Sequence, residues 1–294
     1  MSGVHSEEYI VARRALLDAF DALERQRQAL VLVGAQAIYL HTGSADLAVA
    51  EYTTDGDVVI DPRLLGDEPE IAAAMRTANF WLDERHGRQL VGVWASAREI
   101  GGVPATVTVD LLVPEAFGGS GRRAARIPPH ERSAMLKVHG LEAALVDHSE
   151  MEIAALEDGD DRRVTVKVAG PAALLISKII KVSERVRDGV LQRGRADRVK
   201  PKDALDVLRI MRAIPGDRLA AAIVRLSGDE VAGGVTREAV ASLPALFATV
   251  ESTGSLLAAE AAAPEPPDVI AASCAALCAE LMGALRNAGF GNEG

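Results

Sequence analysis

Two carboxylates separated by a single residue stand inside an otherwise uncharged, partly apolar run, Tyr52-Thr53-Thr54-Asp55-Gly56-Asp57-Val58-Val59-Ile60. The run reads as a strand that Pro62 ends, and strand side chains alternate between faces, so Asp55 and Asp57 fall on one side of a sheet. That side cannot be a dry core, because unpaired carboxylates buried together are prohibitively costly. The fold must therefore leave this face open to water or bring a cation to it. Roughly 7 Å apart along the strand, the pair is placed to share hard divalent cations such as Mg2+. Asp110 adds a third acid within the alternating run Ala105 to Val113, beside the pair if the two strands are neighbours. Three converging carboxylates suit two-metal phosphoryl transfer. Asp-Gly is also a common turn pair, so the same residues equally read as a turn with an edge-strand charge at Asp110.

The surrounding pattern fills in a fold. Residues 6–29 repeat apolar groups at helical spacing (Tyr9, Ala12, Leu16, Leu17, Phe20, Leu23), and Leu30 to Val33 is a short apolar strand stopping at Gly34. Ala35 to His41 reads as the following helix, Ile71 to Thr77 as another, and Gln89 to Ala95, Ala105 to Val113 and Val164 to Val168 as strands. A Gly- and Arg-rich loop, 118–129, has little expected structure of its own, and an acidic stretch, 150–161, leads into the last strand. After Gly170-Pro171 the grammar changes to helices alone: 172–187, 201–212, 218–226, 237–252 and 270–288, with a Pro-containing linker over 259–268. The expected class is thus α/β (α+β): a mixed-sheet domain over 1–170 and an all-helical domain over 171–294.

Bulk properties narrow the function less than the motifs do. With 49% hydrophobic and 25% charged residues the 294-residue chain is ordinary for a globular protein. Its net charge of −10 argues against a general nucleic-acid coat, whose affinity comes from neutralising phosphates, though not against a local basic patch. Cys274 and Cys278 share one face of an Ala-rich helical stretch and read as small buried groups; no further Cys or His stands at zinc-ligand spacing. A polar start without an apolar core, no run approaching the roughly 18 residues of a membrane span, and no disulfide framework together lead us to expect a soluble, cytoplasmic protein.

Gly34 alters the weight of the acids. A strand–Gly–helix unit over Val31 to Ile38 can leave backbone N–H groups and a helix N-terminus free for phosphate oxygens. The ordered set Leu32-Val33-Gly34-Ala35, Thr53-Thr54-Asp55-Gly56-Asp57 and Asp110 resembles the polymerase-beta-type nucleotidyltransferase superfamily. More narrowly, it is similar to the AbiEii/MenT-type toxins of bacterial toxin–antitoxin systems, which add a helical domain with a Lys and then a [K/R]-D-x-x-D motif. Ser177-Lys178-Ile179-Ile180-Lys181 and Lys202-Asp203-Ala204-Leu205-Asp206 follow that order, so the resemblance spans roughly 30–210. Two positions depart from it. Ala35 stands where Gly or Ser is usual after Gly34, and Gly56 replaces a bulky apolar residue between the two Asp.

The resemblance implies transfer of NMP from an NTP to an acceptor hydroxyl, with a tRNA end as target and a cognate antitoxin as regulator. In that reading Asp55, Asp57 and Asp110 hold two Mg2+ ions, while Gly34, Ala35, Lys178 and Lys181 receive the triphosphate. Asp203 assists as acceptor base or orienter. Thr53 and Thr54 flank the nucleotide site, where an added phosphate would repel NTP. From 178 to 202 nine basic residues outnumber three acidic ones, which reads either as a solvated face or as a surface for a polyanion. Arg122, Arg123, Arg126 and Arg132 form a second basic cluster on and beside the Gly-rich loop. Two rivals stand beside this reading: a small-molecule nucleotidyltransferase of the antibiotic-modifying kind, and a catalytically dead nucleotidyltransferase fold serving as a binding module.

Overall fold

A computed structural model describes residues 5–43, 53–191 and 201–291. It shows a mixed α+β protein whose sheet lies wholly before Gly170 and whose described residues after it are helical. The sheet strands are β1 (Leu30–Val33), β2 (Asp55–Ile60), β3 (Trp81–Arg85), β4 (Arg88–Ile100), β5 (Val103–Pro114), β6 (Leu136–Val138), β7 (His148–Ala154) and β8 (Arg163–Ala169). They run in the order β3-β4-β5-β2-β1-β8-β7, with β6 beside β5. β1 is antiparallel to β2 and parallel to β8, and β2 is parallel to β5. All four residues of β1 are buried, as a central strand requires.

Helix α1 (Glu7–Ala22) starts at Ser6, whose hydroxyl accepts from the Tyr9 N–H at 3.3 Å, with Glu7 and Glu8 in the first turn opposing the helix dipole. Its buried stripe, from Tyr9 through Leu16 to Phe20, packs on β2, β4 and β5. The helix expected over 6–29 is not continuous: Glu24–Ala29 is wound as a 3-10 helix. Tertiary bonds compete with the α-helical path there. The buried Gln26 amide donates to the Gly66 and Pro69 carbonyls at 2.8 and 3.0 Å and accepts from the Gly66 N–H at 2.9 Å.

Helix α2 (Gly34–Thr42) and helix α3 (Ile71–Thr77) lie where expected. Strands β4 and β5 outrun their sequence patterns because they pair with each other as a hairpin from Val93–Asp110 out to Ile100–Val103. β3, β6 and β7 were not legible: β3 and β7 are sheet margins and β6 has three residues, so none carries a clear two-residue alternation. The acidic stretch in fact begins inside β7, where Glu152 pairs with Arg163 of β8 at 2.7 Å. The 118–129 loop has no helix or strand, yet it is tied down by backbone bonds from Arg126 to Gly118 (2.9 Å) and from Ala125 to Met135 (3.0 Å).

The helical region comprises α4 (Pro171–Leu191), α5 (Pro201–Ala213), α6 (Gly216–Ser227), α7 (Gly233–Phe247), α8 (Thr253–Ala261) and α9 (Pro267–Asn287). The linker expected over 259–268 is overturned in its first part, where α8 runs to Ala261; Pro264, Pro266 and Pro267 confine the break to a short turn. Among the described residues α9 is the one helix that by length and composition could cross a bilayer. Its face of Ile270, Cys274, Cys278, Leu281 and Leu285 is buried, however, and packs with α5, α6 and α8. Both cysteines are free, and burial pushes their thiols up to about 12 and about 11.

Contacts divide the chain into a sheet unit (1–37, 50–141, 148–169) and a helical unit (38–49, 142–147, 170–294). Gly56 shows how tightly α1 seats on the sheet unit. A Cβ there would stand 3.1 Å from Leu16 Cδ1 and 3.4 Å from Leu16 Cβ. Gly56→Leu is expected to destabilise the protein by about 1–3 kcal/mol through overpacking, read as a lower urea midpoint with an unchanged m-value.

Candidate active site

The sheet places all three expected acids on one face. Asp57 of β2 lies opposite Asp110 of β5, and Asp55 lies two residues earlier opposite Thr108. Their neighbours Gly56, Val58, Val109 and Leu111 are buried, whereas Asp55, Asp57 and Asp110 keep partial exposure. This is the alternation that an open acidic face on a packed sheet requires. On its other side Asp57 pairs with Val33, the last residue of β1, so the chain turns into α2 right beside the carboxylate.

Gly34 makes that turn with φ +69°, and a Cβ at this position would fall 1.9 Å from Asp57 Oδ2. The Asp57 carboxylate occupies the space a side chain would need. Both the left-handed conformation and the close approach therefore demand glycine. Ala35 is 4% exposed, so its side chain belongs to the core and only its backbone is available to a ligand. Thr53 is fully buried and its hydroxyl makes a short hydrogen bond to Asp55 Oδ1; Thr54 is exposed. Of the two threonines, only Thr54 presents its side chain to solvent.

Carboxylate oxygens in this register have the donor chemistry of a hard divalent cation site. As placed, they share a face without closing around one point: among the described residues no three His, Cys, Asp or Glu side chains form a metal-holding cluster. The expectation of convergence on a single point is corrected to that extent.

The helical unit gathers the other expected residues. Lys178 of α4 is 5% exposed, and its Nζ lies 2.9 Å from Asp203 Oδ1 and 2.6 Å from Asp206 Oδ2 of α5. Lys181 Nζ reaches Asp203 Oδ1 at 3.5 Å, and Arg185 makes a very short contact with Asp203 Oδ2. Burial opposes the Lys178 charge, but Asp206 and Asp203 outweigh it and hold the ammonium above the ordinary lysine value. Burial likewise opposes the Asp203 charge, and Lys178, Lys181 and Arg185 outweigh it, holding the carboxyl well below the usual range. Lys178 is thus saturated by two carboxylates. Lys181 and Arg185 are the cluster's cations with exposed surface, 45% and 22% of their side chains. Of the other basic residues expected in this stretch, Arg193, Arg195, Arg198 and Lys200 lie outside the described residues.

Two buried polar groups escaped the sequence reading. Arg13 and Gln36 are 2% and 1% exposed and bond to each other in the sheet unit. The available signal was a charged residue four positions after Tyr9 on the apolar stripe of α1, and an amide within the apolar run of α2. Arg209, 1% exposed on α5 and stacked over Tyr39 at 5.1 Å, is a third such group.

Comparison with protein-family models, curated proteins and solved structures gives no match, so geometry carries the reading of the site.

Gly34→Ala should cost at least the left-handed penalty of about 1–2 kcal/mol, seen in chemical denaturation, since Asp57 must also move. Lys178→Met leaves two buried carboxylates without their shared cation and is expected to cost about 3–5 kcal/mol. The depressed Asp203 pKa gives a signed pH effect. Its contribution is present above the unfolded value of about 3.9 and is lost as pH falls below it. Thermal midpoints between pH 6 and pH 3 should therefore fall more steeply for the wild type than for Asp203→Asn.

Proposed function

We propose that the chain is a metal-dependent nucleotidyltransferase that moves NMP from an NTP to an acceptor hydroxyl. The observation that carries this reading is the in-register pair Asp57–Asp110, with Asp55 on the same sheet face and the Gly34 turn against the Asp57 carboxylate. Asp55, Asp57 and Asp110 would hold Mg2+, which when bound neutralises phosphate charge and lowers the pKa of an acceptor hydroxyl. The Gly34 turn offers backbone N–H groups at the start of α2 to phosphate oxygens. The acceptor oxygen forms a bond to the α-phosphorus, the α–β bridging bond breaks, and pyrophosphate and the hydroxyl proton leave. Catalysis is then positioning and charge stabilisation.

In the helical unit Lys178 holds Asp203 and Asp206 in place, and Lys181 and Arg185 present the exposed cationic surface of that cluster. Asp203, stabilised as an anion by three cations, is a weak base and suits orientation better than proton abstraction. A tRNA acceptor end as substrate, a toxin role and control by a cognate antitoxin remain parts of the proposal supported by the resemblance of the Asp55-Gly56-Asp57 and Lys202-Asp203-Ala204-Leu205-Asp206 motifs alone.

The test is incubation of the full chain with each α-labelled NTP, Mg2+, and either total tRNA or an aminoglycoside. Label should appear in RNA, and Asp57→Asn should lower the rate by about 10²–10³-fold. Label on the aminoglycoside instead would redirect the substrate class; no transfer to either acceptor would remove the enzymatic reading.

A further inference from the structure

Behind the acidic face lies a buried network that the proposed chemistry does not use. The Arg13 guanidinium donates through Nε to Gln36 Oε1 at 2.8 Å, through a terminal nitrogen to the Tyr9 hydroxyl at 2.7 Å, and through the other to the Ala154 carbonyl at 3.1 Å. These three acceptors are neutral. A cation buried this way is expensive compared with an apolar side chain of similar size, so what it orients matters. The guanidinium has only donors, and Gln36 must therefore turn its carbonyl oxygen towards Arg13. That leaves the Gln36 amide nitrogen facing the opposite way, where it donates to the Asp55 backbone carbonyl at 3.2 Å.

The acceptor of that bond is telling. β1 stops at Val33, opposite Asp57, because the chain turns into α2 at Gly34. Asp55 therefore extends two residues beyond the β1 pairing, and on that side Gln36 supplies a donor in place of a strand. Gly56 lies between Asp55 and Asp57 on the same strand: a Cβ there would make an ordinary 3.6 Å contact with Gln36 Nε2, and the crowding comes from Leu16 Cδ1 at 3.1 Å.

We infer that Gln36, locked by Arg13, is a positioning residue that fixes Asp55 and its carboxylate relative to the Gly34 turn; this rests on the nucleotidyltransferase reading. It acts through the backbone of β2 and touches no reacting atom. Glutamate at this position would keep the Arg13 contact, indeed as an ion pair, but would set an acceptor against the Asp55 carbonyl. That separates positioning from stability.

The experiment uses the full chain with Mn2+ as the probe, titrated by electron paramagnetic resonance. NTP-dependent kcat and KM and the thermal midpoint are measured in parallel. Gln36→Glu should fold with a thermal midpoint at or above the wild type, yet lose about 10- to 100-fold in Mn2+ affinity or in kcat, with little change in KM. Gln36→Leu, which also loses the donor, should show the same defect. Both variants binding Mn2+ and turning over within twofold of the wild type would overturn the inference. If the wild type binds Mn2+ in a manner lost on Asp57→Asn but transfers no nucleotide, the enzymatic reading fails, and the Mn2+ affinity of Gln36→Glu still decides the positioning role. If the wild type binds no Mn2+, both fall together.

Discussion

The carboxylate of Asp57 lies where a side chain on Gly34 would have to be. Much of the sheet unit follows from that close approach. It ends β1 at Val33, because a residue at φ +69° cannot continue a strand, and it starts α2 beside β2. It also holds an acid on a central strand of the sheet, between Val33 and Asp110, where only an open face makes such a charge tolerable. A larger residue at 34 would force either the turn or the carboxylate to move, and both belong to the candidate site.

The two units treat buried charge in opposite ways. In the helical unit Lys178 meets two carboxylates, and Asp203 in turn meets three cations, so Coulomb attraction offsets desolvation. In the sheet unit Arg13 is held by three neutral acceptors. Ion pairing stabilises the first arrangement; directional hydrogen bonding fixes the second. That contrast is why Lys178 reads as an organiser of α4 and α5, and Gln36 as an organiser of β2.

Much of the fold was legible from local pattern. The boundaries of β1 and α3, the core of β5 and the change to helices after Pro171 follow from periodicity and from Gly and Pro punctuation, which act over a few residues. What failed was set by distant partners. Gln26 pulls residues 24–29 into a 3-10 turn by bonding to Gly66 and Pro69, some forty residues away. Strands β3 and β7 are sheet margins whose charged residues hide the alternation. The site divides along the same line. Asp55, Asp57 and Gly34 are visible as a motif, whereas Arg13 and Gln36 sit in helical stretches where nothing local separates a structural polar residue from a solvated one.

The sequence by itself determined that a glycine closes the apolar run Leu30 to Val33, that Asp55 and Asp57 share a face once their segment is a strand, and that helices alone follow Pro171, because alternation and backbone sterics are properties of neighbouring residues. Only the tertiary structure decided that Asp110 stands in register with Asp57, that Gly56 lies tight against Leu16, and that Lys178 is saturated by Asp203 and Asp206. Those are contacts between segments far apart in the chain, and their energy depends on burial and distance, which no local pattern encodes.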